Sequence, residues 1–353
     1  MSSPRAGGAE KTILEVGKYL SSKGHEIDLL TGGWEGASRH ETIEGIHVHR
    51  YGNRLAPHVA HPAYLRYHRE ADIVIDDLAH AAPWFSPFLT TKPGLALFRH
   101  LHARTLRGQT SFPLDRILTL LERKYSWIYR KWPFVTHSIK GANDLIQLGV
   151  DNDKITVIPP GVDTSFFKVG KKTETPLIVY FGGMRPYKRP EHAIMALKLI
   201  QSRGIDANLA MVGEGPSQPF LKALAADMHI QDSVRFTGRL SDEELRQLVS
   251  ESWVNVHCSL SEGWSISVME AAASGVPTVA YRVPGISESV KDGVTGTLVD
   301  DGDLTSLSRS LEDSILASES SVAFRCREHA LSYSWESVSK SWEKRLELLL
   351  SGA

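Results

Sequence analysis

Short apolar runs rich in Val, Ile and Leu recur along the chain, separated by longer stretches in which apolar residues return every three or four positions. The runs are Ile27–Thr31, His47–Tyr51, Ile73–Asp76, Leu95–Phe98, Phe134–Ser138 and Ile155–Ile158 in the first half. In the second half they are Leu177–Phe181, Leu209–Val212, Val234–Thr237, Val254–His257, Thr278–Tyr281 and Thr297–Val299. Runs of this length and composition predict strands. The stretches between them predict helices. Ala9–Lys23 sets Ile13, Val16, Gly17 and Leu20 on one face, and Glu191–Arg203, Ser217–His229 and Ser241–Glu251 read the same way. Ser241-Asp242-Glu243-Glu244 is a capping box, a Ser cap with a Glu three residues on.

Strand–helix alternation predicts an α/β chain of parallel sheets covered by helices on both faces. At 353 residues the chain is long for a single core. The alternation restarts after the polar stretch Lys168–Pro176. Two doubly wound, Rossmann-like domains are therefore expected, at 1–168 and 176–330. A terminal segment, 331–353, carries Trp335, Val338, Trp342, Leu346 and Leu349 at helical spacing and is expected to pack back across both domains. Open parallel sheets bind ligands beyond the carboxyl ends of their strands, so two such domains facing each other would put the chemistry in the cleft between them.

A formal net charge of -1 gives the whole chain no nucleic-acid footprint. Two cysteines, Cys258 and Cys326, are too few for a disulfide framework and lack metal-ligand spacing, which fits a reducing, cytoplasmic compartment. No apolar run reaches membrane-helix length, and Met1–Arg5 does not begin a signal peptide, so any membrane contact is expected to be peripheral.

The segment 261–279 reads as loop, helix, glycine stop and buried strand. Glu262 sits in the loop and Glu270 about two turns into the helix. Backbone N–H groups near Ser265, Ile266 and Ser267 form an anion site aided by the helix dipole. Two carboxylates flanking an anion site suit a nucleotide sugar; the same spacing also fits a surface helix with two solvated glutamates. Phe181-Gly182-Gly183-Met184-Arg185-Pro186-Tyr187-Lys188 is a glycine-rich turn after a strand, with Arg185 and Lys188 able to neutralise a diphosphate in place of a metal ion. Gly213-Glu214-Gly215 follows another strand, as any strand-to-helix turn requires.

The 261–279 segment resembles the Glu-x7-Glu motif of glycosyltransferase family 4, retaining enzymes with the GT-B fold. The likeness continues through Val283–Gly296, and Ile155–Asp163 resembles the family's interdomain signature. These matches fall in the family's order over nearly the whole chain. The resemblance implies that Glu262 contacts the donor sugar, that Glu270 contacts the ribose, and that the backbone from Gly263 through Ser265, Ile266 and Ser267 meets the phosphates. Gly213, Glu214 and Gly215 would lie beneath the nucleotide base. Family members carry an Arg five residues before the Lys; here Gly183 stands there, so Lys188 is expected to act at the diphosphate and Arg185 to substitute for the missing Arg. Family members also place a histidine where His100 stands (His102 is the alternative), orienting the donor sugar.

Gly7-Gly8-Ala9-Glu10 matches the family's glycine loop, which would approach the diphosphate or the acceptor. Members have an apolar strand before this loop, and here only six residues precede Gly7. The expectation is that the true start lies upstream or that this version is a fragment.

From Arg99 to Lys131 eight basic residues stand against two acidic ones, a local net of +6, with Tyr125, Trp127, Tyr129 and Trp132 interleaved. That pattern suits either an anionic membrane surface, and so the inner face of a membrane, or a helix with aromatics turned inward and basic stems outward. Asp301-Gly302-Asp303 and Asp151-Asn152-Asp153 read as turns, so no required metal or other cofactor is expected. The expected activity is retaining, metal-independent transfer of a hexose from a GDP- or UDP-linked donor, GDP-mannose being weakly favoured. The acceptor is a glycan, a lipid-linked glycan or another hydroxyl compound. A catalytically silent nucleotide-sugar-binding module, or another GT-B enzyme such as an epimerase or phosphorylase, is the alternative.

Overall fold

The computed structural model describes residues 8–52, 56–79, 82–101, 114–317 and 320–352. The chain divides into two compact units, Met1–Gly161 with Trp335–Ala353, and Val162–Ser334.

The first unit runs α1 (Gly8–Ser22), β1 (Ile27–Gly32), β2 (His40–Ile43), β3 (Ile46–Tyr51), α2 (Ala56–Tyr67), β4 (Val74–Asp77), β5 (Gly94–Phe98), α3 (Leu114–Glu122), α4 (Tyr125–Ile128), β6 (Phe134–Thr136), α5 (Ile139–Gln147) and β7 (Ile155–Val157). Its strands make two sheets, ordered β1-β3-β2 and β4-β5-β6-β7. The four-stranded sheet is parallel throughout. It is buried on both faces, which explains the unbroken apolar run of β5. Ala96 and Phe98 pack with Tyr125, Tyr129, Trp132 and Phe134 on one side. Leu95 and Leu97 pack with Val16 and Leu20 of α1 on the other.

Every strand expected in this half forms, and β2 is an addition. It pairs antiparallel with β3, so this sheet is mixed rather than parallel. His40-Glu41-Thr42-Ile43 carries no apolar run; a two-residue loop creates the strand, with Glu44 (φ 50) and Gly45 (φ 83) both left-handed, the geometry that joins antiparallel strands. β1 and β4 are end strands of their sheets. No residue of β1 is fully buried, and Ile75 of β4 stays 43% exposed. The strand that the family resemblance places before Gly7 falls outside the described residues.

The second unit runs β8 (Leu177–Phe181), α6 (Glu191–Ser202), β9 (Asn208–Val212), α7 (Gln218–Asp227), β10 (Val234–Gly238), α8 (Asp242–Glu251), β11 (Val254–His257), α9 (Ile266–Ala273), β12 (Thr278–Tyr281), α10 (Ile286–Ser289), β13 (Gly296–Val299), α11 (Leu304–Ala317) and α12 (Ser320–Leu331). Its six strands are ordered β10-β9-β8-β11-β12-β13, all parallel. The capping box at α8 forms as the sequence indicates: Ser241 Oγ accepts from Glu244 N, and Glu244 accepts from Ser241 N. The unit begins at Val162, ahead of the polar stretch Lys168–Pro176, because Val162 and Phe167 are buried against Met269, Ala272, Cys326 and Ala330.

The last helix, α13 (Trp335–Leu350), belongs to the first unit. Val338 and Trp342 join Val16, Leu20, Leu95 and Leu97, and Tyr19 of α1 donates to Glu343 at 2.9 Å. No helix among the described residues is long and apolar enough to cross a membrane.

Candidate active site

In the six-stranded sheet the chain builds outward from β8 to β9 and β10, then returns to add β11 on the other flank of β8. Loops leaving the carboxyl ends of β8 and β11 diverge at such a reversal and leave a crevice between them, where doubly wound sheets hold ligands. The two loops meet through Leu260, whose N–H donates to the Tyr187 carbonyl at 2.9 Å.

Lys188 ends the single 3-10 turn after β8, and its Nζ lies 2.9 Å from Oε1 of Glu262, from the loop after β11. Ser259 Oγ donates to the same oxygen at 2.9 Å, and His257 Nε2 is 3.9 Å from it. Burial alone would raise the Glu262 pKa. The charges of Lys188 and His257, and hydrogen bonds from Lys188 and Ser259, outweigh it and hold the carboxyl below its ordinary range. Glu262 is thus a committed acceptor near neutral pH. His257 is pushed down to about 4, chiefly by burial, with Lys188 adding to the effect and Glu262 opposing it. Near neutral pH it is an uncharged imidazole, charged only in acid, and its buried Nδ1 has no partner among the described residues.

Close backbone packing fixes these loops. Gly213 (φ 117) lies where a Cβ would stand 2.2 Å from the Gly182 carbonyl oxygen, so the turns after β8 and β9 touch main chain to main chain. Met184 N donates to the Glu214 carbonyl at 2.9 Å in the same contact, just before Gly215. Gly285 (φ 82) presses the loop after β12 against Glu262: a Cβ there would lie 2.1 Å from the Glu262 carbonyl oxygen. Glu262 N donates to the Pro284 carbonyl at 3.2 Å. Arg189, left-handed at φ 45, donates from Nε to the Cys258 carbonyl at 2.8 Å and pairs with Asp301. It ties the Lys188 loop to the Glu262 loop.

Helix α9 starts just beyond Glu262 and Gly263. Ser265 is its N-cap, accepting from Val268 N and touching Ser267 Oγ at 3.1 Å. The backbone N–H groups of Ile266 and Ser267 open the first turn, at the positive end of the helix dipole. Glu270 shares the face of Ser267, three residues on, and is buried.

The structure therefore gathers Lys188, Gly183, Glu214, Glu262 and the start of α9 around the ends of β8, β9 and β11. Arg185 is exposed, its Nε 3.9 Å from where a Gly183 Cβ would sit. Gly8 opens α1, and His100 is exposed just past β5; both belong to the first unit. Gly7 and His102 lie outside the described residues. Sequence reasoning missed His257, Ser259 and Arg189. His257 ends an expected strand, where the carboxyl-end rule points, and Arg189 follows Lys188 directly.

Two family models match. The model for "Glycosyl transferases group 1" takes in residues 161–329, and that for "Glycosyltransferase Family 4" takes in 6–166. A D-inositol 3-phosphate glycosyltransferase of Acidothermus cellulolyticus is 31% identical over 48% of this chain and 42% of its own length. An N-acetyl-alpha-D-glucosaminyl L-malate synthase of Bacillus anthracis is 25% identical over 86% and 83%. The chain thus spans less than half of the first of these relatives. Among solved structures, a sucrose-phosphate synthase from Thermosynechococcus elongatus superposes with TM-score 0.82 at 18% identity, covering 99% of this chain and 95% of that one. Anabaena HepE, solved with UDP, gives 0.77 at 16%, covering 98% and 97%. These likenesses show the GT-B fold, and with the two family models spanning nearly the whole chain, it belongs to the group 1, family 4 glycosyltransferases.

Proposed function

We propose that this chain transfers a hexosyl group from a nucleoside diphosphate sugar to an acceptor hydroxyl, with retention at the anomeric carbon and without a metal ion. The Lys188–Glu262 pair at the reversal of the sheet, immediately before the N-terminus of α9, carries the reading. The donor diphosphate binds the N–H groups of Ile266 and Ser267 and draws Lys188 away from Glu262. Glu262, held ionised, is then released to accept from the sugar hydroxyls, while Glu270 accepts from the ribose. As the bond from the anomeric carbon to phosphate breaks, Lys188 and Arg185 stabilise the charge gathering on the leaving diphosphate. Arg185 reaches the position left vacant at Gly183 from two residues further on. The acceptor oxygen forms the new bond and its proton passes to the departing phosphate. His100 has the proposed part of orienting the donor sugar.

A UDP-linked donor is favoured because HepE was solved with UDP and with UDP-glucose; GDP-mannose is the donor the sequence suggests. The relatives' names carry small anionic acceptors, inositol phosphate and malate, and a glycan or lipid-linked acceptor is the reading from sequence.

The test is donor hydrolysis and transfer across UDP-, GDP- and ADP-sugars for the natural chain and Glu262→Gln. The variant is expected to bind nucleotide diphosphate normally and to lose about 10²-fold or more in turnover. Unchanged initial rates would remove Glu262 from the mechanism. Nucleotide binding without turnover in the natural chain would mark a silent binding module.

The same reading includes peripheral attachment to an anionic membrane through the first unit. Tyr125, Tyr129 and Trp132 are buried, and Arg99 is buried against Asp77 at 2.7 Å, so these leave the surface. What faces solvent is Phe88, Ile117, Leu120 and Trp127, with Arg123, Lys124 and Arg130 beside them.

A further inference from the structure

The first unit carries a histidine cluster that the proposed transfer does not use. Asp28 of β1 faces two imidazoles. His49 Nε2, on β3, is 3.0 Å from Asp28 Oδ1. His68 Nδ1, one residue past α2, is 3.5 Å from Asp28 Oδ2. One ligand atom from each of the three residues lies within 4.8 Å of the others. The backbone creates this meeting. Asp28 is in register with His47 in the parallel pair, so Asp28, His47 and His49 share one face of the sheet. α2 packs on β1 and β3 and ends at Tyr67, one residue before His68.

The imidazoles are also held in orientation. His40, directly opposite His49 across the β2–β3 pair, places its Nδ1 3.2 Å from His49 Nδ1. That contact occupies the far nitrogen of His49 and turns Nε2 toward Asp28. A metal-binding histidine is oriented in the same way, by a partner on its other ring nitrogen. Tyr64 packs against both rings, with centroids 5.4 Å from His49 and 4.2 Å from His68. Its buried hydroxyl has no partner among the described residues. Glu26, Thr42 and His47 line an open groove at the same place, giving an ion a path inward; Glu41, also on the groove, is paired with Arg50 at 2.8 Å.

Two imidazoles and one carboxylate, without thiolate, are a borderline donor set. It suits Zn²⁺ over the oxygen-seeking Mg²⁺ and Ca²⁺, and leaves one tetrahedral position to water. We propose that Asp28, His49 and His68 bind Zn²⁺, with His40 positioning His49, and that the ion clips the end of α2 to the β1–β3 sheet. The ligands all lie in the first unit, apart from the donor residues named in the second, and the proposal does not depend on the transfer reading.

Zn²⁺ titration of the full-length, chelator-treated protein by calorimetry tests it, with thermal unfolding in parallel. One equivalent is expected to bind and to raise the melting temperature. Asp28→Asn and His68→Gln should each abolish both effects. His40→Ala should keep the stoichiometry and weaken affinity about 10–100-fold. His25→Ala, an exposed histidine outside the cluster, should change nothing. Circular dichroism establishes that each variant is folded. Absence of saturable binding would overturn the proposal. So would binding by Asp28→Asn and His68→Gln equal to that of the unaltered chain, which would assign the ion to scattered surface histidines.

Discussion

Glu262 shows how much a side chain depends on a glycine packed against its own backbone. Its charge state comes from Lys188, His257 and Ser259, but its position comes from the backbone contact at Gly285. Gly285→Ala would place a methyl group inside main-chain contact distance in a left-handed conformation. The expected cost is about 1–3 kcal/mol of stability, with turnover falling further than the loss of folded protein explains. Chemical denaturation and initial rates on the same sample measure both, and an alanine variant with natural stability and rate would remove the glycine from the account. Glu262, Glu270 and the start of α9 were legible in sequence because they sit in a motif of fixed spacing, and Lys188 because it follows a glycine-rich turn after a strand. His257 and Ser259 were not, because their part depends on a strand end and a loop brought together by the fold. Arg189 was hidden for another reason: nothing in composition shows that a non-glycine residue holds φ 45.

At the scale of elements, every strand expected from apolar runs is present, and β5, buried along its whole length, shows why such runs are apolar throughout. β2 was illegible because its pairing is set by the two left-handed residues of the turn and not by its own side chains. The sequence also left α3 and α4 ambiguous between inward-packed aromatics and a membrane patch; the structure turns Tyr125, Tyr129 and Trp132 inward and leaves Ile117, Leu120 and Trp127 exposed. Arg130 lies 5.5 Å above the exposed Trp127 ring, which in turn sits 5.4 Å from Phe88. Leu120→Glu with Trp127→Ala should lower co-sedimentation with anionic vesicles several-fold while donor hydrolysis in solution is unchanged. Equal sedimentation of variant and parent would leave these side chains as ordinary surface.

Across the whole molecule, buried histidines set the response to acid. His61, His137 and His257 are each held near 4 by burial, against an ordinary value of 6.5. A depressed folded pKa means that their contribution is fully present above the unfolded value and is withdrawn as pH falls through the folded one. Asp76 has the opposite sign: burial raises it from 3.8 to about 6, so its cost builds as pH rises across that interval and is complete above it. Three groups against one predict that stability declines from about pH 6.5 toward about pH 4, each histidine withdrawing at most about 1.4 kcal/mol for every pH unit crossed. Melting temperatures at about pH 7.5 and about pH 5 check this; a flat profile would mean that the imidazoles titrate normally. The doubly wound architecture of both units was legible from strand–helix alternation. The reversal between β8 and β11, which locates the candidate site, was not, because alternation alone does not order strands within a sheet.

The return of α13 to α1 has a consequence for how the protein is made. The second unit is continuous in sequence and is complete once residue 334 has left the ribosome. The first unit is begun earlier but needs Val338 and Trp342 to cover Val16, Leu20, Leu95 and Leu97. A nascent chain therefore carries an uncovered apolar face on its first unit until α13 emerges, and the second unit is the first that is able to close. Chaperone demand should accordingly concentrate on the first unit and ease once Trp335–Leu350 is released.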